Sequence, residues 1–375
     1  MADYLIIARS GRALAASANR AGYKVCVADC FTDEDTISFS ESVFQLQYNN
    51  DGFVEEELLC HAREIISQYP NIKLVPGSGI EFKPELISKL SELAPVVCNN
   101  KESILAVKEP HVFFKMLKKN TIAYPDVSFN KPDSLKGYLI KKNMGIGGVH
   151  VNWAEQINFE FDSDYYFQKY VSGVVYSVLF LANGTKANLV GFNQQFQSNE
   201  FTDMPFLYQG AVSLSQKSVG QKEIVKNIVN TIVKETGLMG LCGIDYIVNE
   251  SGKVVVLEVN PRPPATFELH ETQRSLFAAH IACFTGNLID YNQDRNKLLY
   301  RAYAILYAKE NCFISDKVEW SDWVKDRPQA GKRIPIKFPV CTVHARENSL
   351  DKVKAMLFNR LHQVETMIAA TQNSV

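Results

Sequence analysis

Two apolar runs in the second half of the chain, residues 243–248 and 254–259, flank Asn249-Glu250-Ser251-Gly252, a segment with the chemistry of a hairpin turn. Each run carries one carboxylate among β-branched neighbours, Asp245 in the first and Glu258 in the second. Acids in apolar strands are costly to bury unless they are paired or bound to a cation. Strand alternation puts Glu258 and Asn260 on one face, and pairing across the turn can bring Asp245 to that face. Arg262 follows on the same face. Three oxygen donors with no thiolate or imidazole suit Mg²⁺, which keeps few protein ligands and takes the rest from water and phosphate.

The chain leading to this hairpin begins with an apolar strand at residues 4–8. Arg9-Ser10-Gly11-Arg12, a small-residue helix (13–21), Gly22 as its cap and a second strand (24–29) follow, a unit of the doubly wound kind. The loop holds a single glycine, so the G-x-G-x-x-G fingerprint is absent, which argues against NAD despite Asp29 at the second strand's end. A helix at 55–69 and a strand at 72–76 open into Gly77-Ser78-Gly79-Ile80-Glu81, at the carboxyl end where open α/β sheets place ligands. A tight turn and a substrate contact are both open readings of that segment. A fourth strand is expected at 94–98, and a first domain over residues 1–100.

Residues 103–120 read as one helix with exposed Lys115, Lys118 and Lys119. A strand then ends in Lys141-Lys142 and passes through Gly145-Ile146-Gly147-Gly148 before resuming at Val151. Glycines admit backbone N–H groups to phosphate oxygens, and a lysine on the preceding strand can supply charge; a plain hairpin loop explains the pattern equally well. A strand at 164–171, Ser172-Gly173 and another strand through Leu181 come next. Residues 192–201, polar and aromatic, could line a site or cap an edge. A helix at 221–236, with Ile224, Ile228 and Ile232 on one face, ends at Gly237 and leads into the acidic hairpin. Beyond it lie a helix at 277–284, a strand at 301–308, a turn-rich tail and a final helix at 349–367.

Composition excludes several classes. With 375 residues the chain is expected to form two or three domains, and 46% hydrophobic with 22% charged residues argues against disorder. Forty basic residues against 41 acidic give a net charge of −1, no footprint for nucleic acid or a membrane surface. The N-terminus carries an acid at Asp3 where a signal peptide needs positive charge, and no apolar run reaches the roughly 20 residues of a membrane span. The eight scattered cysteines include no CxxC pair, so free thiols in a reducing, cytoplasmic setting are expected. His280 and His344 lack a second histidine at ligand spacing and read as core or capping residues.

Taken in order, a Rossmann-like unit, a lysine-glycine loop within a hairpin, a short linker strand and a D…E-x-N hairpin resemble the ATP-grasp superfamily over about residues 1–300. The resemblance is strongest in G-I-D-Y…L-E-V-N-P-R, Gly243 to Arg262. It implies an α/β (α+β) fold in four parts. These are a Rossmann-like domain (1–100), a small lid (101–172), a metal- and substrate-binding lobe (173–299) and a small β-rich closing domain (300–375). It also implies ATP with two Mg²⁺ ions, Mn²⁺ being the alternative metal, held by Asp245, Glu258 and Asn260 between the β- and γ-phosphates. Lys141 falls to the α/β-phosphates and Gly145, Gly147 and Gly148 to the flexible cover. Gln168, Lys169, Tyr170 and Val171 fall to the adenine linker, where the Lys169 carbonyl and Val171 N–H would read the base edge.

The sequence departs from the family pattern in three places. Neutral Gln168 opens the linker where an acid is common, and Val175-Tyr176 stand where an acid would hold the ribose. The earlier phosphate lysine has two candidates, Lys108 and Lys115. The Glu-Val-Asn-Pro-Arg ending and the tail Trp323…Asp326-Arg327-Pro328…Gly331…Cys341-Thr342-Val343 look like a ligase branch related to biotin carboxylase.

The chemistry implied is activation of a small-molecule carboxylate as an acyl phosphate, then displacement of phosphate by an amine such as that of an amino acid. Lys141 and Arg262 would be catalytic, Arg262 holding the acceptor carboxylate or the transferring phosphoryl group; a salt bridge locking the Pro261–Pro264 turn is its alternative role. Arg9, Arg12 and residues 77–81 are candidates for the acceptor side. A carboxylase forming carboxyphosphate from bicarbonate, and a non-catalytic ATP-binding regulator, remain alternatives. A homodimer is compatible with this reading.

Overall fold

The computed structural model describes residues 1–49, 51–145, 147–157, 161–196, 205–215, 219–291 and 299–372. It is a mixed α/β fold with three principal sheets. The first is wholly parallel, in the order Ser42–Gln45, Val25–Asp29, Tyr4–Ala8, Lys73–Pro76. Its inner strands, Tyr4–Ala8 and Val25–Asp29, are buried along their whole length because both faces are covered. Leu14, Ala15 and Ala18 of helix Arg12–Arg20 pack on one side, and Leu58, Ala62 and Ile65 of helix Glu55–Gln68 on the other.

The strand expected at 94–98 is not formed. Pro95 has no N–H for a ladder, and the segment makes a single parallel bridge between Leu74 and Val96. The fourth strand is Ser42–Gln45 at the opposite edge. The helix expected at 103–120 is two helices, Lys101–Lys108 and Pro110–Lys119. Pro110 cannot continue the first helix, and Glu109 caps the second by accepting from the N–H groups of His111 and Val112.

A second, antiparallel sheet has the order Val127–Ser128, Tyr165–Lys169, Tyr138–Lys142, Val151–Trp153. The third has eight strands. Val254–Asn260 lies at one edge, followed by Met239–Val248, Val174–Asn183, Ala187–Gln195 and Gly210–Leu214. Tyr300–Tyr307, Pro339–Glu347 and Val324–Lys325 continue the same sheet without a break at residue 300.

Alternation sorts this large sheet's faces. Val178, Phe180 and Ile244 meet Val225, Val229 and Ile232 of helix Lys222–Thr236. Leu179, Leu181 and Leu241 meet Leu276, Phe277 and Ala279 of helix Leu276–Cys283, together with the first helix of the parallel sheet. The C-terminal helix Leu350–Gln372 covers the last strands with Val353, Leu357, Leu361, Val364 and Ile368. All eight cysteines are free, and among the described residues no helix is long and apolar enough to cross a membrane.

Candidate active site

The acidic hairpin depends on a β-bulge. Near the turn Val248 pairs with Val254, Ile247 with Val255 and Tyr246 with Val256; the register then shifts, and Asp245 pairs with Glu258. Leu257 is the extra residue. Without it, regular alternation would send Glu258 to the face of Val254 and Val256, into the apolar core beneath the sheet. With it, Glu258 faces Asp245, and Asn260, opposite Gly243, comes to the same face. Asn99 ties the two strands together. Its side chain accepts from Met239 N at 2.8 Å and donates to Met239 O at 3.0 Å and Pro261 O at 2.8 Å.

The two carboxyls sit in different fields. Asp245 accepts from two neutral amides, Gln195 Nε2 at 3.0 Å and Asn260 Nδ2 at 3.3 Å. Enclosure and then the facing Glu258 push its carboxyl well above the usual range. Enclosure would raise Glu258 too, but Lys108, with Nζ 3.7 Å from Oε2, and Lys141 hold it down at about 2. Two acids facing each other across a strand pair are repulsive until a cation lies between them. Two carboxylates and an amide oxygen are hard donors that suit Mg²⁺, and they leave most of its shell to phosphate and water. The donor set fits the ion.

A cavity of about 660 Å³ opens over this pair. Its floor includes Val175, Ile247 and Leu257, its metal wall Asp245, Glu258 and Asn260, and its far end Arg262. Lys141, Gly147, Gly148, Gln168, Tyr170 and Val171 line the side contributed by the second sheet. Lys141 is opposite Tyr166 in the ladder, with its Nζ 5.8 Å from that ring centre and 3.4 Å from Gln168 Oε1. Burial would lower its ammonium, yet Tyr166, Glu258 and Asp245 raise it, so it stays charged.

The glycine loop is fitted to its neighbours. Gly147 O accepts from Tyr208 N at 3.1 Å, and a Cβ on Gly148 (φ 76°) would lie 1.7 Å from Phe206 O. Gly145 is described, whereas Ile146 of that loop and residues 197–201 of the polar-aromatic segment lie outside the described residues.

Lys108 reaches Glu258, while Lys115 is exposed on the next helix. Lys169, exposed at the end of its strand, does not line the cavity. Arg262 donates Nε–H to Glu81 Oε1 at 2.7 Å and Nη1–H to Pro263 O at 3.3 Å, and its side chain lines the cavity. The ion pair and the cavity position, set as alternatives in the sequence, coexist. Arg12 is removed from the acceptor side: it is buried between Glu268 and Asp326. Gln195 and the bulge at Leu257 were not singled out in the sequence. Gln195 lies within residues 192–201, the polar and aromatic segment read as able to line a site, without being named there, and the bulge has no signal in the sequence.

An ATP-grasp domain model matches residues 108–266. No curated protein sequence matches the chain. Among solved structures, the fold is similar to the biotin carboxylase domain of Hydrogenobacter thermophilus 2-oxoglutarate carboxylase, a structure holding MgADP and bicarbonate. The TM-score is 0.72 at 11% identity, over 96% of this chain and 90% of that one. It is also similar to L-amino acid ligase from Bacillus licheniformis, with a TM-score of 0.67 at 12% identity over 97% of both chains. N5-carboxyaminoimidazole synthetase from Staphylococcus aureus gives 0.65 at 14% identity, over 96% of this chain and 97% of that one.

Proposed function

We propose that this chain, whose residues 108–266 match an ATP-grasp domain model, is an ATP- and Mg²⁺-dependent, ADP-forming ligase joining a carboxylate to an amine. The observation that carries this reading is the facing pair Asp245 and Glu258, turned by the Leu257 bulge into a cleft shared with Lys141, Gly148 and Arg262. When bound, Mg²⁺ on Asp245, Glu258 and Asn260 supplies neutralisation of the β- and γ-phosphate oxygens.

The chain's own groups do the rest. Lys141, held by Gln168 and Tyr166, sets a fixed charge against the phosphate chain, and Lys108 adds a second beside Glu258. Gly147 and Gly148 let main-chain N–H groups close on phosphate oxygens, and the cover excludes water from an acyl phosphate that water would hydrolyse. Val175, Ile247 and Leu257 form an apolar floor suited to an adenine ring, with Gln168 to Val171 along its edge.

Arg262, its Nε fixed by Glu81, orients the attacking carboxylate. A carboxylate oxygen bonds to the γ-phosphorus as the bond to the β-phosphate oxygen breaks and ADP leaves. The amine then bonds to the acyl carbon, loses a proton and expels phosphate.

The test is Glu258→Gln. It is expected to keep the fold by circular dichroism, to lose the Mg²⁺-dependent gain in ADP affinity, and to abolish ADP release in a carboxylate and amino acid screen. Undiminished ATP turnover in that variant overturns the assignment. Running the screen with bicarbonate alone separates a carboxylase, which would release ADP without an organic acid.

A further inference from the structure

Three arginines were candidates for the acceptor side, and the structure leaves one of them without an acid. Arg12 lies between Glu268 and Asp326, and Arg262 is fixed by Glu81. Arg9, directly after strand Tyr4–Ala8, has its backbone pinned: its N–H donates to Ser78 O at 2.7 Å and its carbonyl accepts from Cys30 N at 3.1 Å. Its side chain runs past Gly79. A Cβ there would come within 2.9 Å of both Arg9 Cγ and the Phe53 ring, and φ at Gly79 is 102°, so only glycine fits.

The Arg9 guanidinium lies 4.8 Å from the centre of the Tyr48 ring and makes no ion pair or side-chain hydrogen bond among the described residues. Its Nε is buried without a partner, and so is the Tyr48 hydroxyl. Burial pushes that phenol up to about 12, so it stays neutral and able to donate at physiological pH. Two buried donors side by side without an acceptor are expensive, and they lack the same thing.

Neither residue lines the cleft itself, but each side of the pair is linked to residues that do. Gly79 N–H donates to Glu81 Oε2 at 2.6 Å, and the other oxygen of Glu81 holds Arg262, so the turn from Gly79 to Glu81 links the neighbourhoods of Arg9 and Arg262. Tyr48 feels the charges of both Arg9 and Arg262. On the other side, Arg9 acts on the phenol of Tyr307, which donates to Tyr208 O at 2.9 Å, and Tyr208 lines the cleft.

We infer that Arg9 and the Tyr48 hydroxyl form a subsite for a second, unreacting oxyanion of the carboxylate substrate, which is therefore a dianion. This rests on the ligase reading for which group reacts: the carboxylate at Arg262 beside the metal hairpin is activated, and the one at Arg9 is held. The planar guanidinium fork and the phenol recognise a carboxylate or a phosphate equally, so a dicarboxylic acid and a phospho-acid share the chemistry.

Calorimetry on the full chain loaded with MgADP tests the subsite without turnover. Glutarate is the dicarboxylate probe, glutaramate its monoamide, and 3-phosphoglycerate the phosphate-bearing probe. Glutarate is expected to bind at least tenfold more tightly than glutaramate. Arg9→Met should abolish that preference with ADP affinity unchanged, and Tyr48→Phe, which keeps the stacking ring, should reduce it. An Arg9-dependent preference for 3-phosphoglycerate alone identifies the oxyanion as phosphate. No Arg9-dependent preference for either dianion overturns the proposal. Failure of the ligase reading looks different, since dianion binding would persist while no carboxylate releases ADP.

Discussion

Arg262 donates Nε–H to Glu81 Oε1 at 2.7 Å, joining residues 181 positions apart around a carboxylate with no solvent exposure. Burial alone would raise the Glu81 carboxyl, but Arg262 and then Lys108 outweigh it and hold it below its ordinary range. A carboxylate lowered in the folded state stabilises above its unfolded value, and that stabilisation is lost as pH falls through the lower, folded value. Glu81→Gln leaves Arg262 without its counter-charge. A loss of about 3–5 kcal/mol is expected by denaturant titration, with a shallower acid limb than the parent. Unchanged stability would show the pair to be dispensable.

The two candidates for the first phosphate lysine now differ in place. Lys108 is buried beside Glu258, and Lys115 is exposed. Lys108→Met should weaken Mg²⁺-nucleotide binding by about tenfold or more, the scale of one charge-assisted contact. Lys115→Met should stay within about twofold, as exposed substitutions usually do. Calorimetry with ADP and Mg²⁺ checks both, and the reverse ranking would sink the assignment.

The cover tolerates no side chain at Gly148, where a Cβ would strike Phe206 O and φ is 76°. Gly148→Ala should therefore displace the loop and raise the KM for ATP. The melting temperature should barely move, because Gly148 belongs to none of the buried apolar cores. A large drop in melting temperature would instead make the loop a structural element.

His280 is buried under the metal strand and accepts from Leu241 N at Nδ1, 2.9 Å away. Burial drives its imidazole from 6.5 down to about 4. Between those values the unfolded chain binds a proton that the folded chain refuses, so stability is full above 6.5 and falls with pH by ~3 kcal/mol. His280→Asn keeps an acceptor for Leu241 and removes the titration. Its unfolding free energy should be flatter than the parent's from pH 6.5 to 4.

Much of this arrangement was legible in the chain because it is local. Alternation and the Asn249–Gly252 turn announce a hairpin, and two acids in apolar runs announce that it carries something charged. The parity of Glu258 was not legible. An unbroken hairpin would have paired Ile244 with Glu258, and only the extra residue at Leu257 corrects the face. Nothing in Val-Leu-Glu marks a bulge. The contacts that tune the pair, Lys108 on Glu258 and Gln195 on Asp245, join segments separated by whole elements, and one chain carries no signal for such pairings. Pro95 and Pro110 were legible in principle, since each removes a backbone donor that a continuous strand or helix would need.

The large sheet also changes what the last seventy-odd residues are for. Gly210–Leu214 has Ala187–Gln195 on one side and Tyr300–Tyr307 on the other. A protein cut before Tyr300 would expose that strand's row of amide and carbonyl groups on a flat, apolar segment, an adhesive rim able to recruit the same strand of another molecule. Tyr300–Tyr307 covers that rim, so the C-terminal strands withhold it from a second molecule.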